Sequence, residues 1–195
     1  LLFDCDKDKD LDLYIVSGSN EYFDGSQYYQ DRLYTNDGKG NFKLSSILPE
    51  IRNSGSVLAI TDFDKDGDQD IFRGGRVIPT QFPKPGISRL LIRENARYID
   101  NTDRISPDLR EIGMVTDAVW ADLDNDTWED LVVVGELMEI SIFKNIKGKL
   151  QKVDFGKGTE GLWRCVKASD IDKDGDMDLI LGNLGTNISV KVSED

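Results

Sequence analysis

Four acidic segments of one pattern recur along the chain and constrain its fold more than any other feature: DCDKDKDLD at 4–12, DFDKDGDQD at 62–70, DLDNDTWED at 122–130 and DIDKDGDMD at 170–178. Their starts lie 58, 60 and 48 residues apart. Self-similarity at such a period marks stacked supersecondary units, because each unit buries its apolar surface against its neighbours.

The repeat extends beyond the acidic segment. Apolar runs precede it at 57–60, 118–120 and 165–166, and follow it at 13–16, 71–72, 131–134 and 179–181. A glycine then closes the run, at Gly18, Gly74, Gly135 and Gly182. Third strand-like pieces come next, at 32–34, 90–92, 140–143 and 188–190. The turn Asn36–Gly40 leads into 41–44, and Asn145–Gly148 stands ahead of Leu150. Turn residues between short apolar runs predict hairpins, and no helical period competes with them.

The expected fold is therefore all-β: a β-propeller of four-stranded antiparallel blades. Residues 1–195 are read as part of one propeller domain, with repeats at about 1–50, 51–110, 111–158 and 159–195. The first unit starts inside its first strand and the last stops in its third, so further sequence is expected on both sides.

The acidic segments have the spacing of a hard-cation site. Carboxylates at positions 1, 3 and 5 of a tight loop converge, position 7 offers a carbonyl, and position 9 adds a carboxylate. This all-oxygen cage suits Ca²⁺. The candidate ligands are Asp4, Asp6, Asp8, Asp10 and Asp12; Asp62, Asp64, Asp66, Asp68 and Asp70; Asp122, Asp124, Asp126, the Trp128 carbonyl and Asp130; and Asp170, Asp172, Asp174, Asp176 and Asp178. Up to four Ca²⁺ ions are expected. Gly67 and Gly175 at position 6 permit the turn, whereas Lys9 and Thr127 stand there in the first and third loops and predict weaker sites. An EF-hand is excluded, since it needs Glu at position 12 and that position holds Ile15, Arg73, Val133 and Leu181.

Composition removes other functions. The chain has no histidine, which excludes Ser-His-Asp and Cys-His catalysis and the usual zinc ligands. A net charge of −13 repels phosphate backbones, so no nucleic-acid partner is expected. No apolar stretch reaches the length of a membrane helix. Cys5 and Cys165 fall in unrelated apolar slots and read as small hydrophobes without a shared disulfide.

These loops and the strands behind them resemble FG-GAP/VCBS repeats, the blades of integrin-α-type propellers. That resemblance implies seven blades when complete, Ca²⁺ at positions 1, 3, 5, 7 and 9, export, and a role in binding or adhesion. The stretches 74–79, 113–118 and 182–187 are further similar to bacterial proteins of the cartilage-acidic-protein and UnbV-like type, common in Bacteroidetes envelopes. The expected location is extracellular or the cell envelope, associated with a bacterial outer membrane.

The expected role is a cell-surface binding scaffold, possible as an accessory lipoprotein and part of a larger chain or complex, with a protein or glycan partner and no enzymatic activity. Long connections at 21–30 and 79–86 carry Tyr22, Phe23, Tyr28, Tyr29 and Phe82, opposite the acidic loops. Such aromatics either bind a partner or pack on neighbouring blades. Trp120, Trp128 and Trp163 read as blade packing. A propeller-based polysaccharide lyase or hydrolase, or a lectin, is the alternative. Asn187-Ile188-Ser189 fits a glycosylation acceptor.

Overall fold

Each acidic loop turns the chain back on itself, so the strands flanking it pair antiparallel in all four units. The computed structural model describes residues 1–156 and 158–185. The expected strand at 188–190, the Asn187 acceptor pattern and the end of the 182–187 stretch lie outside the described residues.

The first blade comprises β1 (Leu2–Phe3), β2 (Asp12–Ile15), β3 (Arg32–Thr35) and β4 (Lys43–Leu44). The second has β5 (Gly55–Thr61), β6 (Asp70–Gly75), β7 (Arg89–Glu94) and β8 (Arg97–Asp100). The third has β9 (Met114–Ala121), β10 (Asp130–Met138), β11 (Ser141–Asn145) and β12 (Leu150–Val153). Strands β13 (Gly161–Ser169) and β14 (Asp178–Asn183) open the fourth. Strand order within each blade follows chain order, giving the nearly all-β architecture of propeller blades.

The apolar runs are continuous, not alternating, because a blade is covered on both faces. The period of two then sorts the residues. In the second blade, Ile71 and Leu91 join Phe3, Tyr14 and Leu33 of the first in one core. Their neighbours Phe72, Leu90 and Ile92 join Val115, Trp120, Leu131 and Phe143 of the third in another. The third blade repeats the scheme, with Val132, Val134 and Ile142 facing Val166 of the fourth. The cores thus lie between blades, and Trp120 packs against Phe63 as expected, ring centroids 5.9 Å apart. In β13 the same alternation leaves Cys165 exposed beside buried Val166, contrary to the reading of Cys165 as a small hydrophobe in an apolar slot. Cys5 is buried, and both thiols are free.

Two features differ from the sequence reading. Only in the first blade does the second strand end before its glycine: β6, β10 and β14 run through Gly74, Gly135 and Gly182, and the register shifts there in the pairing with the first strand. A Cβ on Gly135 would stand 2.1 Å from the Met114 carbonyl oxygen, so close backbone approach at the bulge requires glycine. The fourth strand of the second blade, β8, is entered through Asn95 and Ala96, at φ of 51° and 61°. Two left-handed residues make a hairpin turn of the primed type without a glycine to announce it.

Candidate metal centres

All four acidic loops occupy equivalent places, each joining the first strand of its blade to the second. Carboxylate oxygens of Asp4, Asp6 and Asp8 lie within 4.8 Å of one another, as do those of Asp62, Asp64 and Asp66, of Asp122, Asp124 and Asp126, and of Asp170, Asp172 and Asp178. Positions 1, 3 and 5 converge in the first three loops, and positions 1, 3 and 9 in the fourth.

The backbone explains how a short segment achieves this. Position 4 is left-handed in every loop, with Lys7, Lys65, Asn125 and Lys173 at φ between 59° and 67°. Position 6 is left-handed as well: Gly67 at 88°, Gly175 at 98°, Lys9 at 75° and Thr127 at 74°. The requirement at position 6 was legible from the glycines, whereas that at position 4 was hidden behind lysine in three of the four loops. The first carboxylate locks the turn, accepting N–H bonds from position 6 at 2.8–3.1 Å in all four loops.

The position 9 aspartate anchors the loop to its blade. Asp12 is fully buried, and it accepts from Cys5 N at 2.8 Å and from Asn36 N, just past β3, at 2.9 Å. Asp70 does the same with Phe63 N and Arg93 N, and Asp130 accepts from Asn145 N at 2.8 Å. In these three loops, position 9 therefore ties the turn to the third strand.

Like charges held this close disfavour ionisation. Burial, then Asp64 and Asp66, push Asp70 up to about 7 against stabilising N–H bonds. Asp6, Asp64 and Asp130 are raised too, first by partial burial and then by neighbouring carboxylates. Fit to a cation is tested by oxygens left over after the protein's own hydrogen bonds are made. Asp62 Oδ1, Asp170 Oδ1 and Asp10 Oδ1 are buried without a partner among the described residues. Buried acceptors of that kind need a donor or a cation. The third loop differs, because the Lys144 ammonium bonds Asp124 and stands 3.8 Å from Asp126, partly neutralising the cluster from within. Thr35 and Ile92 hold the matching place in the first two blades, next to Asn36 and Arg93.

Adjacent loops touch through position 4. Lys7 Nζ reaches Asp68 at 2.8 Å, Lys65 Nζ reaches Thr127 at 2.8 Å and lies 4.5 Å from the Trp128 ring centre, and Asn125 Nδ2 reaches Asp176 at 2.5 Å. The left-handed turn thus aims one loop's position 4 at position 6 or 7 of the next.

Replacing Lys9 by glycine should remove left-handed strain, worth roughly 1–2 kcal/mol, at the cost of a more flexible unfolded chain. The expected net gain for Lys9→Gly is about 0.5–1 kcal/mol, read as a higher urea midpoint in EDTA with an unchanged slope. An unchanged midpoint would show that Lys9 adopts this turn without cost.

On the opposite rim, Tyr29 is buried and bonds the Tyr22 backbone, with its hydroxyl 2.7 Å from the carbonyl. Tyr22 and Tyr28 stack at 4.4 Å and, with Phe23 and Phe82, remain exposed. One ring thus packs within its own loop, and the others face outward.

A family model described as an FG-GAP-like repeat matches residues 4–72 and 101–181. No curated protein matches the chain.

Proposed function

The matched segments span most of the sequence, so the chain belongs to the FG-GAP-like repeat family, and on that premise we propose that it is a calcium-stabilised binding scaffold of the cell surface. The observation that carries this reading is the set of four converging carboxylate clusters, one per blade, with unpartnered buried oxygens on Asp62 and Asp170. Asp62, Asp64 and Asp66 would hold an ion in the second loop, and Asp170, Asp172 and Asp178 in the fourth. A bound Ca²⁺ would supply charge neutralisation and cross-link the turn.

The scaffold acts by binding and not by turnover, since 19 of its 37 acidic side chains are committed to these loops and it has no histidine. Its partner is a protein or glycan, and its place is extracellular or in a bacterial envelope. The likeness to cartilage-acidic-protein and UnbV-like proteins points the same way. Among the described residues, no helix is long and apolar enough to cross a membrane.

Calorimetric titration tests the metal reading. Ca²⁺ should bind at two or more sites, with Mg²⁺ far weaker, and Asp62→Asn combined with Asp64→Asn should remove one equivalent. Equal heats for the two ions, or an unchanged stoichiometry in the variant, would refute it.

A further inference from the structure

Arg76, Glu136 and Arg164 come from three successive units and meet on the rim away from the acidic loops. Glu136, near the end of β10, has a side chain only 7% exposed. It accepts from Arg76 Nε at 2.9 Å and Nη2 at 2.8 Å, and its Oε1 lies 2.6 Å from Arg164 Nη1. One carboxylate cannot neutralise two guanidiniums, so the cluster keeps a charge of +1 inside a chain of −13. The arginine side chains are 46% and 45% exposed, and their remaining N–H groups have no other partner among the described residues.

These groups line a cavity of about 260 Å³ together with Phe82, Leu137, Leu162 and Leu184. Phe82 is 63% exposed and Leu184 45%. A pair of cationic forks beside an exposed ring and three leucine side chains demands a ligand with both characters. Arginine forks match a carboxylate in plane and spacing. The exposed ring offers a face to an apolar C–H surface, and a cavity this small admits one compact unit.

We propose that this cavity binds a uronic-acid unit of a glycan. The carboxylate would sit on the free N–H edges of Arg76 and Arg164, and the apolar face of the sugar ring would cover Phe82. An acidic peptide side chain would satisfy the arginines but leave Phe82 uncovered. Four Ca²⁺ would bring the net charge from −13 to −5, lowering the repulsion an acidic glycan meets. The proposal rests on the scaffold reading and assigns it a binding surface.

The test is a ligand-observed NMR titration of the full-length, Ca²⁺-loaded protein at low salt, with sodium glucuronate, glucose and N-acetylglutamate as probes. Glucuronate should saturate in the millimolar range, and both other probes should bind at least tenfold more weakly. Arg164→Gln should weaken glucuronate at least tenfold. So should Phe82→Ala, which leaves the arginine–glutamate cluster intact. Failure of glucuronate to saturate, equal binding by either variant, or N-acetylglutamate binding as tightly would overturn the assignment. The calcium titration is read on the same samples: if it succeeds while glucuronate fails, the pocket falls and the scaffold reading stands.

Discussion

In millimolar Ca²⁺ the chain should unfold about 10 °C higher than in EDTA, and Mg²⁺ should reproduce little of the rise. An extracellular-type site with Kd near 10⁻⁴ M contributes about 1.8 kcal/mol at 2 mM Ca²⁺. Two such sites contribute about 3.6 kcal/mol, and a chain of this size gains about 2–4 °C per kcal/mol. Filling the first and third loops as well would add to this. The physical source is relief of repulsion among carboxylates that the turns force together. Burial, with the same repulsion added to it, sets the pH dependence in EDTA. Asp70 lies near 7 when folded, through burial first and then Asp64 and Asp66, against 3.8 as its ordinary value. Between about pH 4 and 7 the folded chain then holds more protons than the unfolded one, so metal-free stability falls as pH rises through that window. Bound Ca²⁺ keeps the loops ionised, so its stabilising effect should be larger at pH 7.5 than at pH 5. Identical melting with Ca²⁺ and EDTA at pH 7.5 would reduce the loops to acidic turns.

The contacts between loops make this stabilisation a property of the array. Lys7 on Asp68, Lys65 on Thr127 and Asn125 on Asp176 link each turn to the next. A turn fixed by its ion therefore fixes a contact of its neighbour. In a repeat protein, stability divides between the units and the interfaces joining them, and here those interfaces include the metal rim as well as the apolar cores.

Much of this was legible in the sequence because the physics is local. The aspartate spacing, Gly67 and Gly175 specify a turn, and the apolar runs specify strands covered on both faces. Less visible was anything that depends on another blade. Lys65 reads as a surface lysine until Thr127 and Trp128 stand beside it, and Lys144 shows its effect only where β11 passes the third loop. Arg76, Glu136 and Arg164 are far apart in sequence, and no spacing rule connects them. Arg73 was the clearest missed signal. It sits directly after Ile71 and Phe72 in an otherwise apolar strand, and a charge in that place needs a buried partner.

That partner predicts the second large effect. Arg73 Nε lies 2.7 Å from Asp31 Oδ2, with both side chains fully buried between the first and second blades. Asp31 also accepts from the Tyr14 hydroxyl at 2.9 Å and from Ser17 N at 2.8 Å, while Arg73 Nη2 donates to the Asn53 carbonyl at 2.6 Å. Gly55 makes room, since a Cβ there would stand 2.6 Å from Arg73 Nη2. Replacing Arg73 by leucine would leave Asp31 charged and dry, at a cost of about 3–5 kcal/mol. Most of that is the penalty of an unpaired buried charge, not the worth of the pair. The double variant Arg73→Leu with Asp31→Leu should therefore recover a large part of the loss, although the Tyr14 hydroxyl, the Ser17 N–H and the Asn53 carbonyl lose their partners. Urea unfolding of the two single variants and the double variant measures this directly. A strongly non-additive cycle is expected. Additive losses would show that the two charges do not depend on each other and that the apolar cores alone join the first blade to the second.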